Sequence, residues 1–464
     1  MTNFTLLMLH DAPAKAGQDI YRQAKSPQDD AMSSAEQLKS AYKNTTAPKD
    51  KWKVNYYIFF FVGFSSLFSW HIFIKNSFFE ERFASTIFAT TFSNWIARVY
   101  MATNLLAMVF LMLLPERLKG SNSLRVSLSF LGNVAVFLAM TVLPPCEWIP
   151  DTTYFYITLV CAGLCGFFGG VLQSSLFGMA SGFPSSYVQG IMAGQGLAGM
   201  VSSVILMAAN ILAGDSIKSP HEIAINAALY FGLSLFFIVL GYISFMYVQR
   251  LEFFKFHSTM SAAPGADLDL SDESIQPPQQ GGIFSIFTKM PSALYPPAVF
   301  FVLFITLSAF PFIFSNITSS SKSDSFFFRK LFISTGYLLF DVGDYIGKSM
   351  PAFGLFYTKS HVFILSSSLL RVVFIPLFML CNFRDHPDFN AALRIFSSDV
   401  IYFSLALLFG LTNGYICSLL FMNAPRTVPE YLREKMGAIM PFFLTVGLAL
   451  GPFFVGIISL FLKK

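Results

Sequence analysis

The stretch HSTMSAAPGADLDLSDESIQPPQQGG, residues 257–282, interrupts a chain that is otherwise a succession of long apolar runs. It combines Pro, Gly, Ser and Gln with acidic residues, a composition that cannot bury enough apolar surface to fold on its own. Six apolar runs precede it and five follow it. We therefore interpret the stretch as the centre of a cytoplasmic linker, residues 249–293, between two groups of membrane-spanning segments.

The composition is that of an integral membrane protein. Of 464 residues, 54% are hydrophobic and 12% are charged, which a soluble protein of several domains would not have. Each apolar run is long enough to span the hydrocarbon core, which takes about 20 helical residues. The runs are continuous and do not alternate in polarity, so they predict helices and not a barrel. The expected fold is an all-α membrane protein of eleven transmembrane helices in a 6+5 arrangement of two bundles, with predicted spans 54–76, 93–115, 126–145, 153–178, 188–213, 224–248, 294–316, 329–351, 362–382, 399–422 and 436–461.

The distribution of basic residues predicts the orientation. Basic residues accumulate on the cytoplasmic side of membrane proteins. Eight basic residues of the first half lie on the side of the N-terminus, against three on the opposite side: Lys49, Lys51, Lys53, Arg117, Lys119, Arg125, Arg250 and Lys255, against Lys75, Arg82 and Lys218. The N-terminus is therefore expected in the cytoplasm and, with an odd number of spans, the C-terminus outside.

The predicted domains follow from these boundaries. Residues 1–53 are expected to form a disordered cytoplasmic tail, residues 54–248 an N-terminal bundle of spans 1–6, and residues 294–464 a C-terminal bundle of spans 7–11. The net charge of +5 lies mostly in the tail and loops, where it sets topology and does not indicate a nucleic-acid partner. The sequence has no phosphate-binding loop, zinc motif or nucleophile elbow, and we expect no cofactor and no metal.

Small residues at every fourth position predict close contacts between helices. Gly190, Gly194 and Ala198 form one such series, and Gly447 and Gly451 form another. We interpret both series as packing surfaces. They are not interpreted as ligand sites.

Charged residues within the eighth predicted span are the strongest functional signal. Tyr337, Asp341, Asp344 and Lys348 are spaced by four, three and four residues and therefore share one helical face. A charged side chain at the centre of a bilayer costs roughly 2.5–3.5 kcal/mol, so the face requires partners or water. One interpretation is pairing alone, Asp344 with Lys348 and Asp341 with a residue such as Arg371. The other is a wet cavity along a transport pathway.

Two further spans carry candidate binding residues. On the first span, Leu67 and Trp70 follow one face, and His71 lies at its margin. Trp70 is either a packing residue or a platform on which a flat ring stacks. On the fourth span, Gln173 offers the paired donors and acceptors that match a nucleobase edge, although an amide can equally hold a neighbouring helix.

Several blocks of the sequence, in this order, resemble the equilibrative nucleoside transporter family. Together they extend over nearly the whole chain after residue 53. The blocks are LQSSLFGMASGFPSSYVQGIMAGQGLAG (172–199), RLEFFKF (250–256), FDVGDYIGK (340–348), RVVFIPLFMLCN (371–382), LTNGYICSLLFMNAPRTVPE (411–430) and GAIMPFFLTVGLALG (437–451).

The resemblance implies a major-facilitator-like arrangement of eleven spans and facilitated passage of nucleosides or nucleobases by alternating access. It also implies that Gln173 reads the base edge and that the charged pair Asp344 and Lys348 holds ribose hydroxyls or base atoms. The substrate contacts implied by the family's motifs are Leu67, Trp70, Met101, Gln173, Asp344, Lys348 and Leu448, with Ile74, Tyr337 and Asp341 at cavity positions of variable residue type.

The sequence departs from the family's pattern at three places. Lys348 stands where the family usually has Arg, which removes a planar bidentate donor. Asp341 stands where an uncharged residue is common, and His71 stands where Asn is frequent, with Ser69 before Trp70 in place of Pro. His71 and Asp341 together raise the hypothesis of proton coupling.

We therefore predict a membrane transporter of nucleosides or nucleobases that acts as a monomer by facilitated diffusion, with proton-coupled symport as the alternative. A membrane-embedded enzyme using the buried carboxylates is the competing class, but no nucleophile or metal set accompanies them. The expected location is the plasma membrane, or alternatively a vacuolar or endosomal membrane. Asn316 begins a sequon that would face outside.

Overall fold

The structure is a computed structural model. It describes residues 48–74, 82–83, 86, 92–114, 121–146, 148–213, 220–262, 283–288, 290–310, 312–319, 325, 327, 331–381, 396 and 398–462. Residues 1–47 of the predicted tail lie outside the described residues.

Every regular element of the described ranges is a helix, which confirms the predicted fold class. The α-helices are α1 (Val54–Ile74), α2 (Phe92–Leu113), α3 (Asn122–Val142), α4 (Asp151–Ala180), α5 (Ser185–Ala213), α6 (Pro220–Val248), α7 (Glu252–Ala262), α8 (Tyr295–Ala309), α9 (Phe312–Asn316), α10 (Phe332–Ser349), α11 (His361–Leu370), α12 (Phe374–Met379), α13 (Asp399–Asn423) and α14 (Glu430–Leu462).

Ten helical segments of the described residues are long and apolar enough to cross a membrane. They coincide with ten of the eleven predicted spans. The remaining predicted span is α10, whose 18 residues include three charged side chains. This helix packs between α5 and α13, both of which are membrane-length, so it lies inside the bundle as the eleventh member.

Two predicted spans are interrupted. The seventh breaks at Phe310, whose backbone is extended (φ −106°, ψ 131°) because the following Pro311 disfavours a helical conformation in the residue before it. The ninth breaks into α11 and α12 at a 3-10 turn, Arg371–Val373. Pro376 cannot donate a backbone hydrogen bond to the carbonyl of Val372, and this missing bond accounts for the turn.

The predicted linker contains a helix that the sequence reading did not anticipate. Helix α7 carries Phe253 and Phe254, which are buried. Their rings pack against Phe183 and Tyr187, in and next to the turn between α4 and α5. The apolar pair gives this part of the linker enough apolar surface to fold against α5 and the turn before it.

Glycines bring the central helices into backbone contact. A β-carbon at Gly194 would fall on the carbonyl oxygen of Phe60 in α1, and one at Gly447 would fall on that of Phe300 in α8. A β-carbon at Gly343 would fall on the carbonyl oxygen of Leu407 in α13. The predicted small-residue surfaces are therefore packing surfaces, and α10 and α13 approach too closely for side chains between them.

Candidate functional site

The polar face of α10 is buried in the centre of the helical assembly. Asp341, Asp344 and Lys348 are 6%, 8% and 9% exposed. Lys348 Nζ lies 2.7 Å from Asp344 Oδ2, so two residues one helical turn apart form an ion pair. The predicted pairing of Asp344 with Lys348 is confirmed, and it offsets part of the cost of burying three charges.

The other oxygen of Asp344 is bound by α13. Asn413 Nδ2 donates to Asp344 Oδ1 at 2.7 Å. Asn413 Oδ1 lies 2.8 Å from the hydroxyl of Thr306 on α8 and accepts from Arg371 Nη2 at 3.4 Å. Both carboxylate oxygens of Asp344 are therefore held, one by a cation and one by an amide.

Arg371 is not the partner of Asp341, so that suggested pairing is wrong. Its guanidinium donates to the carbonyl oxygen of Phe409 at 3.1 Å, to Thr412 Oγ1, and to Thr306 Oγ1 at 2.9 Å. Arg371 is 2% exposed and lies among α8, α11 and α13. The turn that interrupts the ninth span directs it to these carbonyl and hydroxyl oxygens.

Asp341 instead faces α5 and α1. Ser203 Oγ donates to Asp341 Oδ2. Asp341 Oδ1 and His71 Nε2 lie 3.2 Å and 3.4 Å from the position that a β-carbon on Gly199 would occupy. The imidazole of His71 and the carboxylate of Asp341 thus both lie beside Gly199, where a larger residue would crowd them.

On the first span, Trp70 lies against a residue that the sequence reading missed. The rings of Trp70 and Tyr100 have centroids 4.2 Å apart at an angle of 38°. Tyr100 is buried and Trp70 is half-buried. The predicted contact Met101 is half-buried and follows Tyr100 on α2. Trp70 therefore has one neighbouring ring while part of its surface stays exposed.

Gln173 is 8% exposed, and its amide has no protein hydrogen bond among the residues that the structure describes. Its neighbour Ser174 donates to the carbonyl oxygen of Ala438 on α14 at 3.3 Å. This bond places the part of α4 that carries Gln173 next to α14. Of the two interpretations of this amide, the described contacts favour a free hydrogen-bonding edge over a helix clamp.

The remaining predicted contacts are apolar or aromatic. Leu67 and Leu448 are half-buried and pack against the main core. Tyr337 packs against Phe310 and Phe314, with ring centroids 4.9 Å and 6.4 Å away. The side chain of Ile74, at the end of α1, lies outside the described side chains.

Hydrogen bonds join the two bundles at the end of the molecule where α1 begins. Ser174 bonds to Ala438, Gln189 Nε2 donates to the carbonyl oxygen of Lys348 at 3.0 Å, and Arg426 donates to the carbonyl oxygen of Phe183. Phe177 of α4 packs against Phe421 of α13 with ring centroids 4.6 Å apart. We call these residues the tail-side layer. It lies next to Lys348 and closes this end of the boundary between the bundles.

A family model described as nucleoside transporter matches residues 156–462. The chain belongs to the nucleoside transporter family. This match extends over most of α4 through the end of α14 and includes Gln173, the polar face of α10 and the tail-side layer.

Full-length relatives agree with this family. The protein is 28% identical to human equilibrative nucleoside transporter 1 over 456 residues, covering 88% of this chain and 97% of the relative. It is 27% identical to mouse equilibrative nucleoside transporter 2, covering 87% and 96%. It is 26% identical to equilibrative nucleotide transporter 1 of Arabidopsis thaliana, covering 87% and 86%.

Solved structures support the major-facilitator-like fold. The major facilitator superfamily transporter FucP, in the outward conformation, superimposes with a TM-score of 0.57 at 11% identity, covering 88% of this chain and 92% of that one. The proton:xylose symporter XylE bound to 6-bromo-6-deoxy-D-glucose gives 0.57 at 9% identity, covering 89% and 90%. This member of the nucleoside transporter family is therefore a multi-pass membrane transporter with that fold.

Four polar or aromatic residues at the site were missed in the sequence reading of this transporter: Tyr100, Ser203, Thr306 and Asn413. Asn413 carried a usable signal, because it is an amide inside an apolar span and such residues usually bond to another helix. Ser203 and Thr306 carried none, since serine and threonine commonly bond to their own helix backbone. Tyr100 is recognisable only once α1 and α2 are packed together.

Proposed function

We propose that this protein moves nucleosides or nucleobases across a membrane by alternating access, as facilitated diffusion. The observation that carries the proposal is the buried Asp344–Lys348 pair, held between α5 and α13 near the boundary of the two bundles. Burying a charged pair inside a membrane is costly, and such residues usually mark a substrate pathway. Two relatives that align over most of this chain and most of their own length are named as equilibrative nucleoside transporters.

The chemistry of the site favours an uncharged, hydrogen-bonding solute. The ammonium on this face of α10 is already paired with Asp344, so a phosphate would have to compete with a carboxylate for it. This argues for nucleosides or bases over nucleotides, although one relative is named as a nucleotide transporter. Asp344 accepts hydrogen bonds from ribose hydroxyls or base N–H groups, and Lys348 donates to acceptors.

The other proposed contacts complete a site for a flat ring. Trp70 provides a half-buried aromatic ring beside Tyr100, suited to stacking against a base. Gln173 provides an amide edge without a protein partner in the described part of the chain. The full proposed set is Leu67, Trp70, Ile74, Met101, Gln173, Tyr337, Asp341, Asp344, Lys348 and Leu448.

Alternating access requires the tail-side layer to open. In this conformation Gln189 donates a hydrogen bond to the carbonyl oxygen of Lys348, the residue that forms the ion pair with Asp344. These bonds close the site toward the end where α1 begins. Rocking of bundle 54–248 against bundle 294–464 would break these few bonds and release substrate on the tail side.

The distribution of basic residues supports a cytoplasmic N-terminus and an external C-terminus in this proposal. The linker, including α7, then lies in the cytoplasm. We propose the plasma membrane as the location and a monomer as the transporting unit, since each chain carries a complete polar face and both bundles.

The test is uptake by purified protein in liposomes. Labelled adenosine, uridine and hypoxanthine are expected to enter and to be recovered chemically unaltered, whereas Asp344→Asn incorporates equally well and loses at least tenfold in uptake. Conversion of substrate without net entry would establish the enzyme class instead. Normal uptake by Asp344→Asn would show that the ion pair does not bind the substrate and would overturn the proposal.

The positions of His71 and Asp341 favour a second candidate function, proton-coupled transport. His71 on α1 and Asp341 on α10 both lie beside Gly199 of α5, with Ser203 bonded to Asp341. The other titratable groups on this face of α10 are Tyr337, Asp344 and Lys348. A carboxylate and an imidazole on opposite bundles can hold a proton in one conformation and release it in another.

An imposed pH gradient distinguishes the two candidates. Coupled transport would concentrate uridine in liposomes with a more alkaline interior, and Asp341→Asn would equilibrate uridine without concentrating it. Equal final distribution with and without the gradient would leave facilitated diffusion and exclude coupling.

A further inference from the structure

The inference concerns Asn413, which lies between Asp344 and Arg371. Arginine has only donors, so the Asn413 atom facing Arg371 Nη2 at 3.4 Å must be its oxygen. The hydroxyl of Thr306, 2.8 Å from the same oxygen, agrees with this orientation. The NH₂ group is thereby directed at Asp344, to which it donates at 2.7 Å.

Arg371 is itself fixed by the helices around it. It donates to Phe409, Thr412 and Thr306, and its guanidinium carbon lies 4.6 Å from the centre of the Phe409 ring. None of its partners in the described ranges is a carboxylate. A buried cation requires compensation, and the nearest bonded route to a negative charge runs through Asn413 to Asp344.

The result is a series of two hydrogen bonds and one ion pair that runs from Arg371 through Asn413 and Asp344 to Lys348. One oxygen of Asp344 is held by an amide that Arg371 orients, and the other is held by the ammonium of Lys348. Each carboxylate oxygen still has a second lone pair that can accept a hydrogen bond. The plane of the carboxylate is fixed from two sides, so its remaining acceptor positions have a defined direction.

We propose that Arg371 is a positioning residue that acts through Asn413 to keep Asp344 oriented for the substrate. This rests on the proposed function, since it takes Asp344 as a substrate contact. All four residues of this bonded series belong to the C-terminal bundle and lie on α10, on α13 and in the turn after α11. The substrate-accepting geometry therefore stays intact while the two bundles move against each other.

The decisive variant is Asn413→Asp, which keeps the shape and the oxygen facing Arg371 but replaces the donor facing Asp344 with an oxygen. We expect the KM for adenosine to rise about tenfold or more, as for the loss of one hydrogen bond to a charged group. The maximal rate per molecule should stay within about twofold. The ratio of variant to wild-type uptake should rise as pH falls from 8 to 5.5, because protonation of the introduced carboxylate restores a donor facing Asp344.

A matched control is Asn133→Asp on α3, another buried amide, whose Nδ2 donates to the carbonyl oxygen of Ser129 at 3.0 Å. It introduces the same charge into a membrane helix away from α10 and should leave KM unchanged. Arg371→Lys keeps the charge without the fork and should raise KM less than Asn413→Asp does.

The outcomes separate this inference from the proposed function. Loss of uptake in Asp344→Asn together with a wild-type KM in Asn413→Asp overturns the positioning role alone. Normal uptake in Asp344→Asn overturns the proposed site. A KM that rises equally in Asn133→Asp shows a general effect of buried charge and also overturns the positioning role.

Discussion

At the scale of single residues, Lys348 is the side chain whose identity has the clearest consequence. Its ammonium lies 2.7 Å from Asp344 Oδ2, and its aliphatic part passes close to Gly196 of α5. An ammonium is a compact charge, whereas a guanidinium is a planar fork with five donors. One cation therefore serves both the ion pair and any acceptor on the substrate.

Lys348→Arg is expected to retain uptake and to change the order of substrate preference. The wider guanidinium can bind Asp344 with one side and present more donors to the ligand. The measurement is inhibition of labelled adenosine uptake by a panel of nucleosides and bases in wild type and variant. An unchanged order of inhibition would limit Lys348 to the role of counter-ion.

At the scale of elements, α10 stays in place through its glycine surface. Gly343→Ala is expected to destabilise the protein by about 1–3 kcal/mol, the usual cost of overpacking, because the added methyl meets the carbonyl oxygen of Leu407. Gly354→Ala is the control, since no atom lies within 4 Å of the corresponding position. Apparent melting temperatures in detergent should fall for the first variant and not for the second. Equal temperatures would mean that α10 and α13 are free to separate.

Helix α7 gives a pH-dependent contact at the same end of the molecule as the tail-side layer. His257 packs against Phe253 and Phe183, and burial, with a contribution from Arg426, lowers the pKa of His257 below its ordinary value of 6.5. The docked helix therefore favours neutral histidine. The stability from docking is complete above about pH 6.5 and is lost as the pH falls through the lowered pKa.

His257→Gln should remove this dependence. Between pH 7.5 and 5.5, wild type is expected to lose more of its apparent melting temperature than the variant loses. Both proteins share every other titrating group, so the difference between them isolates His257. Parallel losses would show that His257 titrates without affecting the docking of α7.

The elements and their polar face were predictable because both depend on local sequence. Hydrophobic length gives the spans, and the spacing of Asp341, Asp344 and Lys348 gives one face of α10. The partners were less predictable because they depend on packing between helices. Arg371 was suggested for Asp341, yet the turn after α11 directs it to Asn413 and away from Asp341. Helix α7 was missed because two buried phenylalanines outweigh the polar composition that follows them.

At the scale of the whole molecule, the tail-side layer closes the site toward the end where α1 begins. It contains hydrogen bonds between α4 and α14, between α5 and α10, and between the turns at Phe183 and Arg426. The ring contact of Phe177 with Phe421 belongs to it, and an ion pair of Arg125 with Glu434, at 3.9 Å, joins the bundles at the same end. Each hydrogen bond contributes about 0.5–1.5 kcal/mol to the stability of this conformation. Contacts of this strength can form in one conformation and break in another, as alternating access requires.

Linking the two bundles through this layer should therefore stop transport. Ser174→Cys with Ala438→Cys places two thiols where a side chain now bonds across the bundles at 3.3 Å. Oxidation is expected to join them and to abolish uptake, and reduction to restore it, because release on the tail side requires α4 and α14 to separate. The single-cysteine variants are the controls, since the native cysteines are buried or half-buried. A cross-linked protein that still transports would mean that the layer stays closed during the cycle and that substrate leaves by another route.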